Sequence, residues 1–385
     1  MIKSLFSQKF IIYLLSVTIL SFLTSFFLLE ILVALLTILW VVDIVSNKKF
    51  NLDKISYIIL ALLLVKIISS VTSGHSRVSF NALLKESIFF LSFFSFNHFV
   101  RIIEKEKRFL LLKVLLYSGL FIALIGITKF NLGSLRAESI TSGSATFSVF
   151  IIIVLVLSLF LKEKLFFRDK AFLEILIITV LLTACALTFS KANIFAALLI
   201  LAAAIFLKKT KVSVVLTSLL LTGLLVIVSV NINSKYYTNN IKDESYLFSN
   251  RDLIWKGAVT LVFDKPFLGH GVGTFKEIYP HWDLLTDKGV GDWHNQFIQI
   301  YMETGIVGLL IFLYLVYHVY REWFIMYKLK RYNDDTIILN SLAAAITALI
   351  ITSLATNFIS SVIIAPIFSF MLALYQSYLK DYNSI

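Results

Sequence analysis

The chain contains little of what water-soluble proteins depend on. Its 385 residues include one cysteine and three prolines, and 15% of them are charged, whereas a soluble domain carries about 25% charged residues. The single cysteine, Cys185, lies in an apolar run, which excludes a disulfide framework and a thiolate metal site. The scarcity of charge excludes both a soluble globule and a disordered chain, because neither can be built from so few polar residues.

Apolar residues take the place of the missing charge. Hydrophobic residues make up 59% of the chain, its mean hydropathy is +0.89, and several apolar runs approach the roughly 20 residues that a helix needs to cross a bilayer. The sequence therefore predicts an all-α polytopic membrane protein with about 12 transmembrane helices and one large extracytoplasmic loop. The predicted spans are 8–23, 27–45, 55–72, 79–100, 109–128, 145–161, 171–189, 192–207, 212–230, 296–319, 336–357 and 359–377.

Basic residues are unevenly distributed over the segments between these spans. The chain has 35 Lys and Arg against 23 Asp and Glu, a net charge of +12. With the N-terminus in the cytoplasm, 21 basic residues fall in cytoplasmic loops and termini, and four, Arg77, Lys129, Arg136 and Lys191, fall in short outside loops. This bias follows the positive-inside rule, so both termini are predicted to be cytoplasmic and the positive charge needs no nucleic-acid partner.

The outside segment 231–295 differs from the rest of the chain. It separates helices one to nine, in 1–230, from helices ten to twelve, in 296–385. It contains two of the three prolines and three of the five tryptophans, and a loop of this length in a compact protein is usually functional.

Two local features are predicted within this large loop. A helix begins at Arg251 after a capping Asn250, and its apolar face, which Trp255 borders, is expected to lie along the outer membrane interface. The segment Gly269-His270-Gly271-Val272-Gly273 is expected to turn the chain sharply, because glycine adopts positive φ without strain.

His294 and Asn295 stand at the start of span ten. Nine residues separate Asn295 from Gly305, and two more separate Gly305 from Gly308. On a helix, His294 and both glycines share one face, where the glycines permit a neighbouring helix to approach closely. Glu303 lies about half a turn around this helix, so we expect it outside the site of His294.

Three further cations fall on the same predicted side as His294. Arg136 precedes a small polar run, Lys191 lies in the tight turn between spans seven and eight, and Arg251 opens the loop helix. Each alone is compatible with a contact to lipid headgroups. Together with the histidine they predict a cationic site without a metal that suits a diphosphate, because guanidinium binds phosphate oxygens bidentately and ammonium binds them as a point charge.

At these residues the sequence resembles the O-antigen ligase and O-antigen polymerase superfamily of bacterial membrane glycosyltransferases. The matching elements are Arg136 with its Ser/Thr/Gly-rich continuation, Thr188-Phe189-Ser190-Lys191, Arg251-Asp252-Leu253-Ile254-Trp255, Pro266-Phe267-Leu268-Gly269-His270-Gly271 and His294-Asn295-x9-Gly305-x-x-Gly308. Lys191 departs from this family, which usually has arginine at that position. The positive charge is retained there, but the bidentate fork is lost.

The resemblance implies a GT-C-like fold and an inverting glycosyltransferase that needs no metal or other cofactor. The implied donor is a glycan on undecaprenyl diphosphate, and the implied acceptor is a hydroxyl of lipid A-core or of another glycan. The enzyme would lie among the lipids of the bacterial inner membrane, with its active site facing the periplasm. Arg136, Lys191 and Arg251 would bind the diphosphate, and Arg251 and His294 would be catalytic. The residues that would support this site are Asn295, Gly305, Gly308, Trp255 and Gly269.

Two alternatives stay open. A polymerase of the same superfamily would add this donor to another lipid-linked repeat, although its pattern commonly has two sizeable outside loops. A lipid-linked glycan transporter would also have many spans, and Glu30, Lys66, Lys113 and Glu174 could line its path. These four residues are more simply explained by snorkelling or pairing near span ends, and the two halves of the chain show no repeat, which favours an enzyme.

Overall fold

The computed structural model describes residues 7–47, 52–165, 170–233, 251–285, 290–328 and 334–383, and within these ranges it contains helices and no strand. The predicted capping residue Asn250 lies outside the described residues. The helices are α1 (Gln8–Ser21), α2 (Phe26–Asn47), α3 (Lys54–Thr72), α4 (Ser76–Ile102), α5 (Lys105–Asn131), α6 (Ser144–Phe160), α7 (Ala171–Ala186), α8 (Lys191–Phe206), α9 (Val212–Ile232), α10 (Arg251–Leu261), α11 (Phe275–Ile278), α12 (Gln296–Lys328), α13 (Asp334–Thr352) and α14 (Ile364–Asn383).

Each predicted span coincides with one of the helices α1–α9 and α12–α14. The largest differences are at α12, which continues to Lys328, and at α14, which covers Ile364–Asn383 in place of 359–377. Of the helices in the described ranges, 7 are long and apolar enough to cross a membrane, and four shorter ones are also apolar. The class of all-α polytopic membrane protein is thus confirmed, whereas the number of twelve crossings stays a prediction.

The helix α6 has no charged residue and is among the most buried of the described helices. Almost all of α6 is inaccessible to solvent, as expected of a helix that is apolar on every side, and α5, α7, α8 and α13 surround it. In contrast, α9 exposes large apolar side chains, including Leu220 at 71% and Leu224 at 60%. The bundle therefore has apolar side chains both at its centre and on its outer surface, as a bilayer requires.

The candidate site lies at one end of this bundle. Successive helices joined by short turns run in opposite directions, so α4, α6, α8 and α12 begin where α13 ends, and we call this the outer end. Two hydrogen bonds join elements there: Asn193 Nδ2 donates to Ser148 Oγ (2.6 Å), and Gln296 N donates to Ser353 O (2.9 Å).

Near the outer end, α12 is broken. Gly305 has φ 66° and ψ −164°, a conformation that no helix contains. In an unbroken helix the N–H groups of Ile306 and Val307 would bond to the carbonyls of Met302 and Glu303. At the break these four backbone groups are turned away from one another.

The outside segment 266–271 takes over the hydrogen bonds that α12 has lost. The four backbone bonds run from Ile306 N to Pro266 O (2.7 Å), from Val307 N to Phe267 O (3.4 Å), from His270 N to Met302 O (2.8 Å) and from Gly271 N to Glu303 O (3.1 Å). Pairing of this kind is what permits a non-helical backbone within the hydrocarbon layer, where no water can satisfy a free N–H or C=O. The break and the loop therefore stabilise each other.

Close approach of the two segments requires glycine on both sides. A Cβ on Gly305 would lie 2.2 Å from the carbonyl carbon of Phe267, and a Cβ on Gly269 would lie 2.4 Å from the carbonyl carbon of Glu303. Gly269, which has φ 69°, also confirms that the glycine-rich segment turns sharply, as predicted.

The predicted partner of Gly305 in α12 was wrong, and the one predicted for Gly308 stays a prediction. We expected a neighbouring helix against Gly305 and Gly308, but the outside loop contacts Gly305. The atoms nearest to a Cβ on Gly308 belong to Thr304 of α12 itself. A sequence pattern of small residues indicates close approach without indicating what approaches, and here the break makes room for a loop.

Replacement of Gly305 by alanine is expected to destabilise the protein strongly. The backbone conformation alone costs about 1–3 kcal/mol for a residue with a Cβ, and the overlap with Phe267 adds to this cost. The thermal midpoint of the detergent-solubilised variant should fall clearly below that of the wild type. Gly223→Ala in α9 is the matched control, because a Cβ there meets open space. Equal midpoints for Gly305→Ala and Gly223→Ala would contradict the described break.

Candidate active site

The loop before α12 places His294 beside the helix start without using it as a cap. Asn295 is the capping residue, because its Oδ1 accepts hydrogen bonds from Phe297 N (2.9 Å) and Ile298 N (3.2 Å). The imidazole of His294 is therefore not needed to satisfy the first turn of the helix.

His294 is instead held by Asp292, a residue that the sequence did not single out. Asp292 Oδ1 accepts from His294 N (2.8 Å) and lies 2.9 Å from His294 Nδ1. His294 has φ 47°, an uncommon conformation for a residue with a side chain, and its side chain is 35% exposed. If Nδ1 donates its proton to Asp292, Nε2 carries the lone pair and can accept a proton from a ligand. The sequence signal that could have identified Asp292 is the presence of a carboxylate two residues before the histidine.

The contact with His294 favours the ionised form of Asp292. Burial alone would raise the pKa of Asp292, but the hydrogen bond to the His294 ring, the charge of that ring and the backbone hydrogen bond together lower the pKa below its ordinary value. Asp292 is therefore ionised at neutral pH, where it orients the imidazole of His294.

The large loop has a small hydrophobic core of its own, and Trp293 lies at its centre. Trp293 is 1% exposed, and its ring meets that of Phe275 edge to face, with centroids 4.8 Å apart. Ile254 and Ala258 of α10 belong to the same core, so the predicted apolar face of α10 is confirmed and faces the loop. Trp255, at the border of this face, is 43% exposed. The expected position of α10 along the outer membrane interface stays a prediction.

Arg251 and Asn295 bind to adjacent carbonyl groups. The Arg251 guanidinium donates to Ala355 O (2.9 Å), and Asn295 Nδ2 donates to Leu354 O (3.1 Å). The structure thereby brings Arg251 close to the loop of His294, as the sequence predicted. Burial lowers the pKa of Arg251, and its Nε has no hydrogen-bond partner among the described residues. Arginine stays charged in proteins, so this is a partly desolvated cation with a donor left for an anion.

Arg136 and Lys191 lie on two segments that meet at the outer end. Ala137 N donates to Leu187 O (2.8 Å), which joins the segment of Arg136 to the turn before Lys191. Arg136 is half-buried and Lys191 is exposed at the start of α8. Since α13 packs against both α6 and α8, Arg136 and Lys191 lie at the same end of the bundle as Arg251 and His294.

The structure also shows the surroundings of the single cysteine and of two buried charged residues, Lys66 and Glu174. The described residues contain no group of three or more His, Cys, Asp or Glu side chains that could hold a metal ion, and Cys185 is a buried free thiol. Lys66 pairs with Glu86 (2.7 Å) and Glu303 (2.8 Å), and Glu174 pairs with Lys162, so pairing replaces snorkelling at both positions.

A cavity of about 420 Å³ lies between α6, α8, α12 and α13. Its wall is mostly apolar and follows α13 from Asn340 to Ile351, two residues before Ser353. Lys209 lines the cavity, whereas the cations of the outer end do not, and α13 leads from the cavity towards the carbonyls that hold Arg251 and Asn295.

Taken together, the fold and the site define a helical membrane protein with a cationic, histidine-containing site at one end of its bundle. Residues 175–313 match a family model described as O-antigen ligase. A curated protein of Rickettsia conorii, provisionally named a polysaccharide ligase, is 32% identical over 81 residues, which is 19% of this chain and 20% of that protein. These matches confirm the resemblance to the O-antigen ligase superfamily. The interval that matches the family model contains Lys191, Arg251 and His294, whereas Arg136 precedes it.

The Asp292 pair predicts a specific pH dependence of stability. Because the folded pKa of Asp292 is depressed, its contribution is complete above the ordinary carboxyl pKa of about 4 and is lost as the pH falls through the lower folded value. Asp292→Asn should lower the thermal midpoint by about 2 °C at pH 7, and this deficit should shrink towards pH 3. The exposed Asp264→Asn is the matched control. A deficit that grows on acidification would contradict the pair.

Proposed function

We propose that this protein is a ligase-like glycosyltransferase that moves a glycan from undecaprenyl diphosphate to an acceptor hydroxyl, with lipid A-core as the acceptor. The observation that carries the proposal is the pair of His294 and Asp292 beside Arg251, inside the interval that matches the O-antigen ligase model. That match already indicates an enzyme of a bacterial inner membrane. The donor, the acceptor and the stereochemistry are part of the proposal.

In this reaction His294 acts as the general base. Its Nε2 accepts the proton of the acceptor hydroxyl while Asp292 holds Nδ1 and stabilises the imidazolium that forms. The acceptor oxygen forms a bond to the anomeric carbon as the bond from that carbon to the diphosphate oxygen breaks. Attack from the face opposite the leaving group inverts the configuration. The exposure of His294 at the outer end allows an acceptor to reach it.

The fixed cations stabilise the departing undecaprenyl diphosphate. Arg251 is already anchored through one bond to Ala355 O and can direct its remaining donors to phosphate oxygens. Arg136 and Lys191 supply further positive charge from the adjacent segments, Lys191 as a point charge. Preorganised cations in a partly desolvated site stabilise developing negative charge without reorganisation, which is a main source of catalysis.

The proposed orientation places the outer end in the periplasm and both termini in the cytoplasm. It rests on the 21 basic residues that fall on one predicted side against the four in short loops on the other. The resulting site faces the leaflet at which a lipid-linked glycan would be exposed to an acceptor.

The apolar cavity is the proposed site for part of the isoprenoid chain. From Asn340 to Ile351 it follows α13 for about 16 Å, at 1.5 Å per residue. Its outer end approaches the segment 353–355 that holds Arg251, so a diphosphate at Arg251 and a hydrocarbon in the cavity would belong to one lipid.

Purified protein supplied with lipid-linked donor and acceptor should transfer glycan without an ion gradient. His294→Ala is expected to lower the rate by about 10²–10⁴-fold, the usual contribution of a general base. Arg251→Ala should lower it strongly, and Arg251→Lys should recover part of the loss because the charge returns. The exposed loop residue His281 provides the matched control, His281→Ala, with an unchanged rate. Folded His294→Ala and Arg251→Ala variants with normal transfer would overturn the proposed site.

The products of the same assay decide between the functions. Glycan attached to the lipid A-core acceptor identifies a ligase, whereas lengthened lipid-linked glycan identifies a polymerase. Movement of the donor between leaflets with no new glycosidic bond would identify a transporter and refute the proposal.

Filling the cavity should weaken donor binding without changing the chemical step. Ala203 of α8 lines the cavity, and Ala202 is exposed outside it. Ala203→Phe is expected to raise KM for the lipid donor about tenfold, because losing two methylene contacts at about 0.8 kcal/mol each corresponds to that ratio. Ala202→Phe, the matched control, should leave KM unchanged. Equal KM values for both variants would exclude the cavity as the isoprenoid site.

A further inference from the structure

Three charged side chains meet in the outer half of the bundle. Lys66 of α3 is 1% exposed and lies 2.7 Å from Glu86 of α4 and 2.8 Å from Glu303 of α12. Removing charges from water costs several kcal/mol per ion, so a cluster of this kind is rarely retained for stability alone. Ionisable groups within membrane spans are instead a common mark of function.

Glu303 extends this cluster into the outside loops. Its Oε2 atom faces Lys66, while its Oε1 atom accepts from Gly273 N (2.9 Å) and from Gln299 Nε2 (2.5 Å). Gln299 Oε1 in turn accepts from Trp293 N (3.1 Å), the residue before His294. The expectation that Glu303 lies apart from the site of His294 therefore needs correction, because two hydrogen bonds connect the carboxylate to the backbone beside the histidine.

The loop of His294 needs such an external anchor. Asp292 and His294 bond to each other, which sets the ring relative to its own loop but not relative to the bundle. The hydrogen bond from Trp293 N to Gln299 joins that loop to α12 on one side, as Asn295 joins it to Leu354 on the other. The positive φ of His294 requires this backbone to be held firmly on both sides.

We propose that Glu303, held by Lys66, is a positioning residue that acts through Gln299 to hold His294 at the distance and angle required for proton transfer. It touches neither donor nor acceptor. This inference rests on the proposed function, because it assigns Glu303 a part in the same displacement.

The first test is a mutant cycle in the purified transfer assay. Glu303→Gln is expected to lower kcat by about tenfold or more while KM for the donor stays within about twofold, since small displacements of a catalytic group are costly. In a His294→Ala background, Glu303→Gln should cause no further loss, because residues that act as a unit are not additive. A merely structural role would lower the activity of both backgrounds by the same factor, which would overturn the proposal.

The chain offers a matched control and a second variant. Glu174→Gln also removes a buried carboxylate from a lysine pair, but in α7 next to Lys162, and it should leave kcat unchanged. Gln299→Leu breaks the bond to Trp293 without removing a charge, so it should reproduce the loss in kcat even if Glu303→Gln does not fold. A folded Gln299→Leu variant with normal kcat would refute the route through Gln299.

A second measurement needs no substrate. The rate at which diethyl pyrocarbonate modifies His294, followed by mass spectrometry, should change several-fold in Glu303→Gln and in Gln299→Leu and remain unchanged in Glu174→Gln. If this rate changes while wild-type protein transfers no glycan, the proposed function fails and the positioning of His294 stands. If wild-type protein transfers glycan and neither the rate nor kcat changes in the variants, the positioning role fails alone.

Discussion

The exchange of backbone hydrogen bonds between segment 266–271 and the break in α12 supports the whole outer end. Four bonds that a continuous helix would have made within itself are formed with the loop instead. In hydrocarbon an unpaired peptide group costs several kcal/mol, so neither partner can keep its conformation without the other. The described part of the large loop is consequently joined to the bundle, and His294, which lies between segment 266–271 and α12 in the chain, is held beside this junction.

The buried charges directly beneath this junction are part of the same arrangement. The Glu303 backbone carbonyl accepts from Gly271 and Ser69, and its side chain accepts from Gly273 and Gln299 and pairs with Lys66. One residue thus joins two membrane helices, the glycine-rich segment and the loop of the histidine. Each carboxylate of the cluster faces the Lys66 ammonium, and Glu303 also accepts hydrogen bonds from the loop and from α12, which offsets part of the cost of burying these charges.

The cations that we propose to bind diphosphate come from three separate segments. Arg251 opens α10, Arg136 lies between α5 and α6, and Lys191 starts α8. Such a distribution suits a leaving group whose charge is spread over two phosphates, because each cation can face different oxygens. It also leaves the base on a fourth segment, so that the acceptor and the leaving group can be held on opposite sides of the reacting carbon.

The amino-acid sequence alone was enough to predict the class of the protein, the positions of the long helices and the residues that carry its charge. These properties are local: a run of apolar residues has to lie in hydrocarbon wherever its helix packs, and a basic loop marks its side of the membrane. The glycine-rich turn was likewise predicted, because positive φ depends on the residue itself.

The tertiary structure decided how these parts act on one another. Gly305 lies in a sequence that reads as a continuous helix, and only the docking of a segment more than thirty residues earlier shows that the helix breaks there. Lys66 and Glu303 are 237 residues apart, and the hydrogen bonds that connect Glu303 to the loop of His294 exist only when α3, α12 and the outside loop are assembled. Periodicity describes which face of a helix a residue occupies, but not which distant backbone or side chain will satisfy its hydrogen bonds, and that is why only the fold shows where His294 is held.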